Sequence, residues 1–305
     1  MIILGLTFHR SAEALAGCTV FLLGIQMFLM GLSVRIRAVL QSLQQPRFML
    51  FWIFLAWGVM PAVSFLLGRL FLSSSPEFAV GMILTTALPA AITSNVWTGI
   101  SAGNLPLNIT IVGTASVLSG IVTPFLLSAW VGAFISIDAL DLFLGFLTGV
   151  MLPTLAGIFV NEKASFRLDS FRTVQKLVVK ILAGLIIFIN AGVMEPYLRQ
   201  WGWQAVGLLF LVILQAVLTY ALVLLIMSRV KGVSREDLVP LAYASAMRNN
   251  SAGVVIGFTY FGPTVAAPVI LSILMQQPLA SLIHRFIFSP THGFYKYKTV
   301  PSRAD

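Results

Sequence analysis

The sequence predicts an all-α integral membrane protein with about nine transmembrane helices. Of its residues, 58% are hydrophobic and only 10% are charged, whereas about 25% of the residues in a soluble domain are charged. The mean hydropathy is +0.96, and a water-soluble domain of this size cannot bury so much apolar surface. A lipid bilayer is therefore the solvent that suits this chain, and the bilayer is its first expected partner.

Nine segments are long and apolar enough to cross roughly 30 Å of hydrocarbon, which takes about 20 helical residues. In chain order they are 12–33, 48–72, 77–100, 104–134, 138–160, 177–198, 203–228, 236–260 and 263–288. The polar residues 289–305 follow the last of them, and we expect them to form a cytoplasmic tail.

The formal net charge of +9 does not indicate a nucleic-acid partner, because most Lys and Arg residues stand between the apolar spans. They concentrate after odd-numbered spans, as do Arg35, Arg37 and Arg172. Cytoplasmic loops of membrane proteins carry an excess of Lys and Arg. The distribution therefore predicts a cytoplasmic C-terminus and an external N-terminus, which agrees with an odd number of spans.

Two of the spans, 77–100 and 236–260, are interrupted. In the first, Pro89 removes one helical hydrogen bond and disfavours a helical conformation at the preceding residue. Interrupted spans at corresponding positions in two halves of a chain indicate a transporter site built from inverted repeats. The polar residues of the two interruptions are Ser94, Asn95 and Thr98 in the first, and Arg248, Asn249, Asn250 and Ser251 in the second.

Arg248 is the residue on which the predicted site depends most. It lies in the middle of its span, where a charge costs roughly 2.5–3.5 kcal/mol, and all ten acidic residues lie near span ends, in loops or in the tail. Either its guanidinium attracts an anion, or it ties the carbonyl groups of unwound backbone together. Asn108 and Gln276 are further polar residues at depth that either line the same cavity or mark hydrogen-bonded kinks.

Four short motifs resemble, in order along the chain, those of the bile acid:sodium symporter (BASS) family. They are Met30-Gly31-Leu32 before Arg35, then Met60-Pro61-Ala62, then Ala79-Val80-Gly81 with Ser94-Asn95-Val96-Trp97-Thr98 and Gly103-Asn104, and last Asn250-Ser251-Ala252-Gly253. The resemblance implies ten helices in a panel domain and a core domain of inverted repeats, with two discontinuous helices that cross near the substrate site. We expect this chain to lack the first helix.

In that arrangement the panel-like helices would be 12–33 and 138–198, and the core-like helices would be 48–134 and 203–288. The resemblance also implies two sodium sites in the core. For the first site this chain keeps Ser94 and Asn95, while the family's Ser and Thr partners are replaced by Asn108 and Val112.

The second sodium site departs further from the family pattern. The shared Glu of the ninth family helix is replaced by Ser245, its neighbouring Met by Arg248, and the final Gln by Asn249, while a Gln of the third helix becomes Ala56. Sodium prefers several oxygen ligands and gains from a negative group. We therefore expect a degenerate sodium site near Ser94, Asn95, Asn108, Ser245 and Asn249 that is not occupied, with Arg248 in place of sodium.

The sequence thus predicts a secondary or facilitative transporter of a small organic anion in the bacterial plasma membrane. The expected substrate-binding residues are Ser94, Asn95, Thr98, Asn108, Arg248, Asn249, Asn250, Ser251 and Gln276. Metalloprotease, esterase, P-loop and dinucleotide motifs are absent from the sequence, so we expect neither enzymatic activity nor an organic cofactor. Two alternatives stay open, namely a non-transporting receptor or regulator that retains the fold, and an efflux carrier of the auxin or arsenite type.

Overall fold

Helices make up most of the part of the chain that the structure describes, which confirms the all-α fold class. The computed structural model describes residues 1–34, 36–41, 46–132, 134–135, 138–168 and 171–289. No β-strand occurs within these residues. The predicted tail lies outside them beyond Ser289, as does Arg35.

The helices are numbered here in chain order. The first part of the chain contains α1 (Ile2–Thr7), α2 (His9–Glu13), α3 (Thr19–Gly31), α4 (Ile36–Gln41), α5 (Pro46–Phe71), α6 (Pro76–Ala87), α7 (Ser94–Ile100) and α8 (Leu105–Val131). The remainder contains α9 (Leu140–Lys163), α10 (Arg172–Trp201), α11 (Trp203–Met227), α12 (Arg235–Ala246), α13 (Asn250–Ile256) and α14 (Pro263–Phe288).

Within the described residues, six helices are long and apolar enough to cross a membrane, namely α5, α8, α9, α10, α11 and α14. Their bounds follow six of the predicted spans closely. The two interrupted spans are each divided into a pair of half-helices, α6 with α7 and α12 with α13. The count of nine spans stays a prediction, as does the division into panel and core.

The first predicted span, 12–33, is wrong at its N-terminal end. Helix α3 begins at Thr19, and the two short helices α1 and α2 precede it. They lie along α10, since a Cβ atom added to Gly192 would stand 2.3 Å from the Cβ of Ala12. The predicted span began at Ala12, inside α2, because no proline separates this residue from the apolar residues of α3.

The breaks in the two interrupted spans have local causes. Helix α6 ends at Ala87 because Leu88 is extended, with a ψ of 156°, which is the conformation that the following Pro89 imposes on its neighbour. Helix α12 ends at Ala246, and Met247 is extended with a ψ of 108° although no proline follows it. Contacts with the first break, described below, stabilise this second break.

Helices α3 and α9 pack with their backbones in contact. A Cβ atom on Gly31 would lie 2.2 Å from the carbonyl oxygen of Thr154, and one on Gly157 would lie 2.1 Å from that of Phe28. Small residues that permit such close approach are typical of helix pairs in membranes. The glycines are therefore required by packing.

We predict that Gly31→Ala lowers the melting temperature of the detergent-solubilised protein, because its new methyl group overlaps the Thr154 carbonyl and overpacking costs about 1–3 kcal/mol. Gly24→Ala on the same helix is the control, since nothing lies within 4 Å of its Cβ position. The control should be neutral or slightly stabilising. Equal melting temperatures for the two variants would contradict this packing.

Candidate functional site

The two interrupted spans meet at their breaks. The backbone N–H of Ala91 donates to the carbonyl of Met247 at 2.8 Å, and the N–H of Asn249 donates to the carbonyl of Pro89 at 2.9 Å. These bonds form a short antiparallel bridge that pairs Ala90 with Arg248. Backbone polar groups at membrane depth must be satisfied within the protein, and here each break satisfies groups of the other.

The side chain of Arg248 connects the crossing of the two breaks to helix α5. Its Nη1 donates to the carbonyl of Leu88 at 3.0 Å, and its Nη2 donates to the carbonyl of Ala56 at 2.6 Å. The side chain is buried, and its Cζ lies 5.9 Å from the ring centroid of Trp52. The guanidinium therefore ties the C-terminal end of α6 and the middle of α5 to the second break.

No carboxylate lies within salt-bridge distance of Arg248 among the residues that the structure describes. Its Nε also has no hydrogen-bond partner there. The hydrogen bonds to the carbonyls of Leu88 and Ala56 agree with the interpretation that Arg248 ties backbone carbonyl groups together. The positive charge has no counter-ion and the Nε–H has no acceptor among those residues, and the interpretation that Arg248 attracts an anion stays a prediction.

The side chain of Asn108 holds the N-terminal end of α7 by hydrogen bonds. From α8, its Nδ2 donates to Ser94 Oγ at 2.9 Å and to Asn95 Oδ1 at 2.8 Å. The Ser94 hydroxyl in turn donates to the carbonyl of Ala91 at 2.7 Å. The structure therefore brings together three of the predicted site residues in one hydrogen-bonded cluster, in which Ser94 and Asn108 are buried and Asn95 is partly buried.

The start of α13 contacts helix α3 through a residue that the sequence prediction missed. Gln26 Nε2 donates to Ser251 Oγ at 3.0 Å, and that hydroxyl donates to Asn249 Oδ1 at 2.9 Å. The Asn249 Nδ2 lies 3.9 Å from the sulfur atoms of Met27 and Met30. In the sequence, the signal that could have identified Gln26 was its position as a single glutamine inside an apolar span.

Gln276 of α14 forms hydrogen bonds with the segment that joins α12 to α13. Its Oε1 accepts from the backbone N–H of Arg248 at 3.1 Å and from Asn250 Nδ2 at 3.0 Å. Thr98 is placed differently, one turn after Ser94 on α7. Its methyl group lies beside Gly103, apart from the hydrogen bonds that connect the other predicted residues.

A cavity lies beside the crossing, between α6, α11, α14 and the segment that joins α12 to α13. Arg248, Asn250 and Gln276 of the predicted site line it, together with Ser245. Further polar residues that line it were missed by the sequence prediction, and they are Thr85, Thr86, Gln215, Thr219 and Ser272. Lone polar residues in apolar helices gave too weak a signal to single them out.

The profile of the Sodium Bile acid symporter family matches residues 20–201, which is more than half of the chain. The chain belongs to this family. It is accordingly a multi-pass membrane protein of a transporter family whose members handle small solutes, as the sequence predicted.

Curated relatives of this family member cover most of its length. It is 29% identical over 264 residues to the uncharacterized protein YbaS of Bacillus subtilis, covering 85% of this chain and 86% of that protein. It is 27% identical to the uncharacterized sodium-dependent transporter YocS of the same bacterium, covering 87% and 81%. It is 25% identical to the human ileal sodium/bile acid cotransporter, covering 90% and 77%.

At the sodium positions that the family implies, N–H donors of the chain contact several of the oxygen atoms. Ser94 Oγ and Asn95 Oδ1 both accept from Asn108 Nδ2, and the backbone carbonyl of Ala56 accepts from the guanidinium of Arg248. Each of these oxygens already accepts one hydrogen bond, while Asn108 Oδ1 and Ser245 Oγ have no partner among the described residues. That sodium does not bind at these positions stays a prediction.

We predict that Arg248→Lys lowers the free energy of unfolding by about 1–3 kcal/mol, because a lysine keeps the buried charge but its shorter ammonium group cannot donate to both carbonyls. Thermal unfolding in detergent measures the change. Arg10→Lys is the control, since Arg10 is exposed. A melting temperature unchanged by Arg248→Lys would show that the two bonds do not hold the crossing together.

Proposed function

We propose that this family member is a secondary or facilitative transporter that carries a small organic anion across the bacterial plasma membrane without sodium coupling. Membership of the family supports transport of a small solute. The single observation that carries the rest of the proposal is the buried guanidinium of Arg248 at the crossing of the two broken helices.

The charge of Arg248 favours an anion as the substrate. Two neutral carbonyls hold the guanidinium in place, and they do not cancel its charge. Arg248 lines the cavity beside the crossing, and its Nε–H has no acceptor among the described residues. A carboxylate in this cavity would accept that charge-assisted hydrogen bond, which is about twice as strong as a bond between neutral groups.

The same residue argues against a coupling cation. Arginine does not lose its proton in proteins, so the positive charge at the crossing is permanent and covalently attached. A cation placed beside it would be repelled in a partly dehydrated site. Relatives whose names specify sodium, such as YocS and the ileal cotransporter, would differ from this chain in their coupling, and this chain would work as a uniporter or an exchanger.

Transport by alternating access requires two groups of helices to move against each other. In the proposed division, α3, α9 and α10 belong to the panel, and the broken helices belong to the core. The hydrogen bond from Gln26 to Ser251 is then a contact between the two groups that breaks when they separate. The proposed orientation keeps the C-terminus in the cytoplasm and the N-terminus outside.

We predict that liposomes containing the purified protein take up a radiolabelled small carboxylate equally well in sodium and in choline buffers. Glycerate, lactate and pyruvate serve as the probes, and protein-free liposomes provide the background. The reason is that the guanidinium replaces the cation that sodium-coupled relatives bind. Uptake that rises steeply with sodium would overturn the coupling part of the proposal. Uptake of none of the three above background would overturn its substrate class.

A further inference from the structure

Helix α5 contains one irregular turn at the place where Arg248 reaches it. Residues Phe54–Val59 form a π-helical turn, in which the backbone N–H of Met60 donates to the carbonyl of Leu55, five residues earlier. Turns of this kind are rare and occur frequently at functional sites. The change of hydrogen-bond register decides which carbonyl group of the helix is left for a partner outside it.

The carbonyl of Ala56 is the group that loses its backbone donor. In a regular α-helix it would accept from the N–H of Met60, which here donates to Leu55. In the π-helical register its donor would be residue 61, and Pro61 has no N–H. A backbone carbonyl at membrane depth needs a partner within the protein, and Arg248 Nη2 is that partner at 2.6 Å.

The carbonyl of Leu88 is available for a similar reason. Helix α6 ends at Ala87 and Leu88 is extended, so this carbonyl lies outside the regular helical pattern. The bridge between the two breaks uses the carbonyls of Pro89 and Met247 instead. Leu88 accepts from Arg248 Nη1 at 3.0 Å, and carbonyls of two separate elements thus converge on one guanidinium.

Trp52 supplies an aromatic wall beside these carbonyls. It is fully buried and stands four residues before Ala56, on the same face of α5. Its ring centroid lies 5.9 Å from the Cζ of Arg248, within the range of about 6 Å over which a ring attracts a cation. Trp57 meets the Trp52 ring edge-on, with centroids 5.2 Å apart, and limits its movement.

The chemistry of these groups matches that of a guanidinium. A guanidinium is planar, presents several N–H donors in a fixed arrangement and stacks on aromatic faces, whereas an ammonium group is a compact point charge. Two carbonyl acceptors and an aromatic ring are what such a cation needs. All three groups belong to α5 or to the first break, so they are placed by parts of the chain other than the segment that carries Arg248.

We propose that Trp52 and the carbonyls of Ala56 and Leu88 form a preformed receptor for a guanidinium group. Trp52 is then a positioning residue that sets where the charge of Arg248 stands. The protein's own side chain occupies the receptor, and removal of that side chain leaves a site that binds a free guanidinium ion from solution. The inference goes beyond the proposed function, and its tests use no transported substrate.

The first test measures the melting temperature of Arg248→Ala in detergent during a titration with millimolar guanidinium chloride, far below the molar range that denatures proteins. We expect a saturable rise of about 2–4 °C, because a ligand that binds only the folded state stabilises it. The wild-type protein should show no rise, since its receptor is filled. Arg10→Ala should show none either, because Arg10 is exposed and Arg248 is retained.

Three other solutes separate the features of guanidinium in the same variant. Urea has a similar planar shape without the charge, methylammonium has the charge without the planar group, and sodium chloride matches the ionic strength. Guanidinium should act at concentrations about tenfold lower than methylammonium, which corresponds to about 1.4 kcal/mol, and the other two should not stabilise the variant. No effect of guanidinium, or an equal effect of urea or sodium chloride, would overturn the receptor.

The second test changes Trp52 in the Arg248→Ala background. Trp52→Leu removes the aromatic face and should weaken the response to guanidinium about tenfold, whereas Trp52→Phe should keep part of it. Phe54→Leu is the control, because Phe54 is exposed on the same helix, and it should leave the response unchanged. If Trp52→Leu lowers the melting temperature but keeps the full response, Trp52 only fills space and its positioning role is overturned.

Cell-free synthesis into liposomes decides the question if Arg248→Ala does not fold on its own. Folded, protease-resistant protein that is recovered only when guanidinium is present would support the receptor. No folded protein with or without guanidinium would overturn it. Either result leaves the proposed transport untouched, because the uptake experiment uses the wild-type protein with Arg248 in place.

Discussion

The guanidinium of Arg248 is the interaction on which this structure depends. Two helices are broken in the interior of a membrane protein, where unpaired backbone groups are expensive. The short bridge between Ala90 and Arg248 pairs some of them, and the arginine side chain reaches the carbonyls of Leu88 and Ala56. One residue thus connects both broken helices to α5, and the polar clusters around Asn108 and Gln276 extend from that point.

A fixed charge at this position changes what a carrier of this family can do. A bound cation can leave with the substrate and couple its own gradient to transport, whereas a guanidinium stays with the protein. The Asn108 amide fills the space between Ser94 and Asn95 in a comparable way. In this account N–H donors of the chain replace both cations, and the positive field needed to attract an anion is kept without an ion gradient.

The sequence predicted the parts of this arrangement that leave a local signal. Pro89 predicted the first break because proline constrains the residue before it, and Arg248 stood out because a charge in an apolar span is rare. The separate helices α1 and α2 were missed, since no proline between Ala12 and Thr19 marks the end of a helix. Gln26 and Gln215 were also missed, because a single glutamine in an apolar helix acquires meaning only from the helices packed around it.

The most direct test of the account is equilibrium binding of radioactive sodium to the purified protein in detergent, with and without glycerate. The account predicts no saturable sodium binding in either condition, because the fixed positive charge of Arg248 would repel a cation in this partly dehydrated region. Saturable binding of one or two sodium ions per protein, strengthened by glycerate, would contradict it.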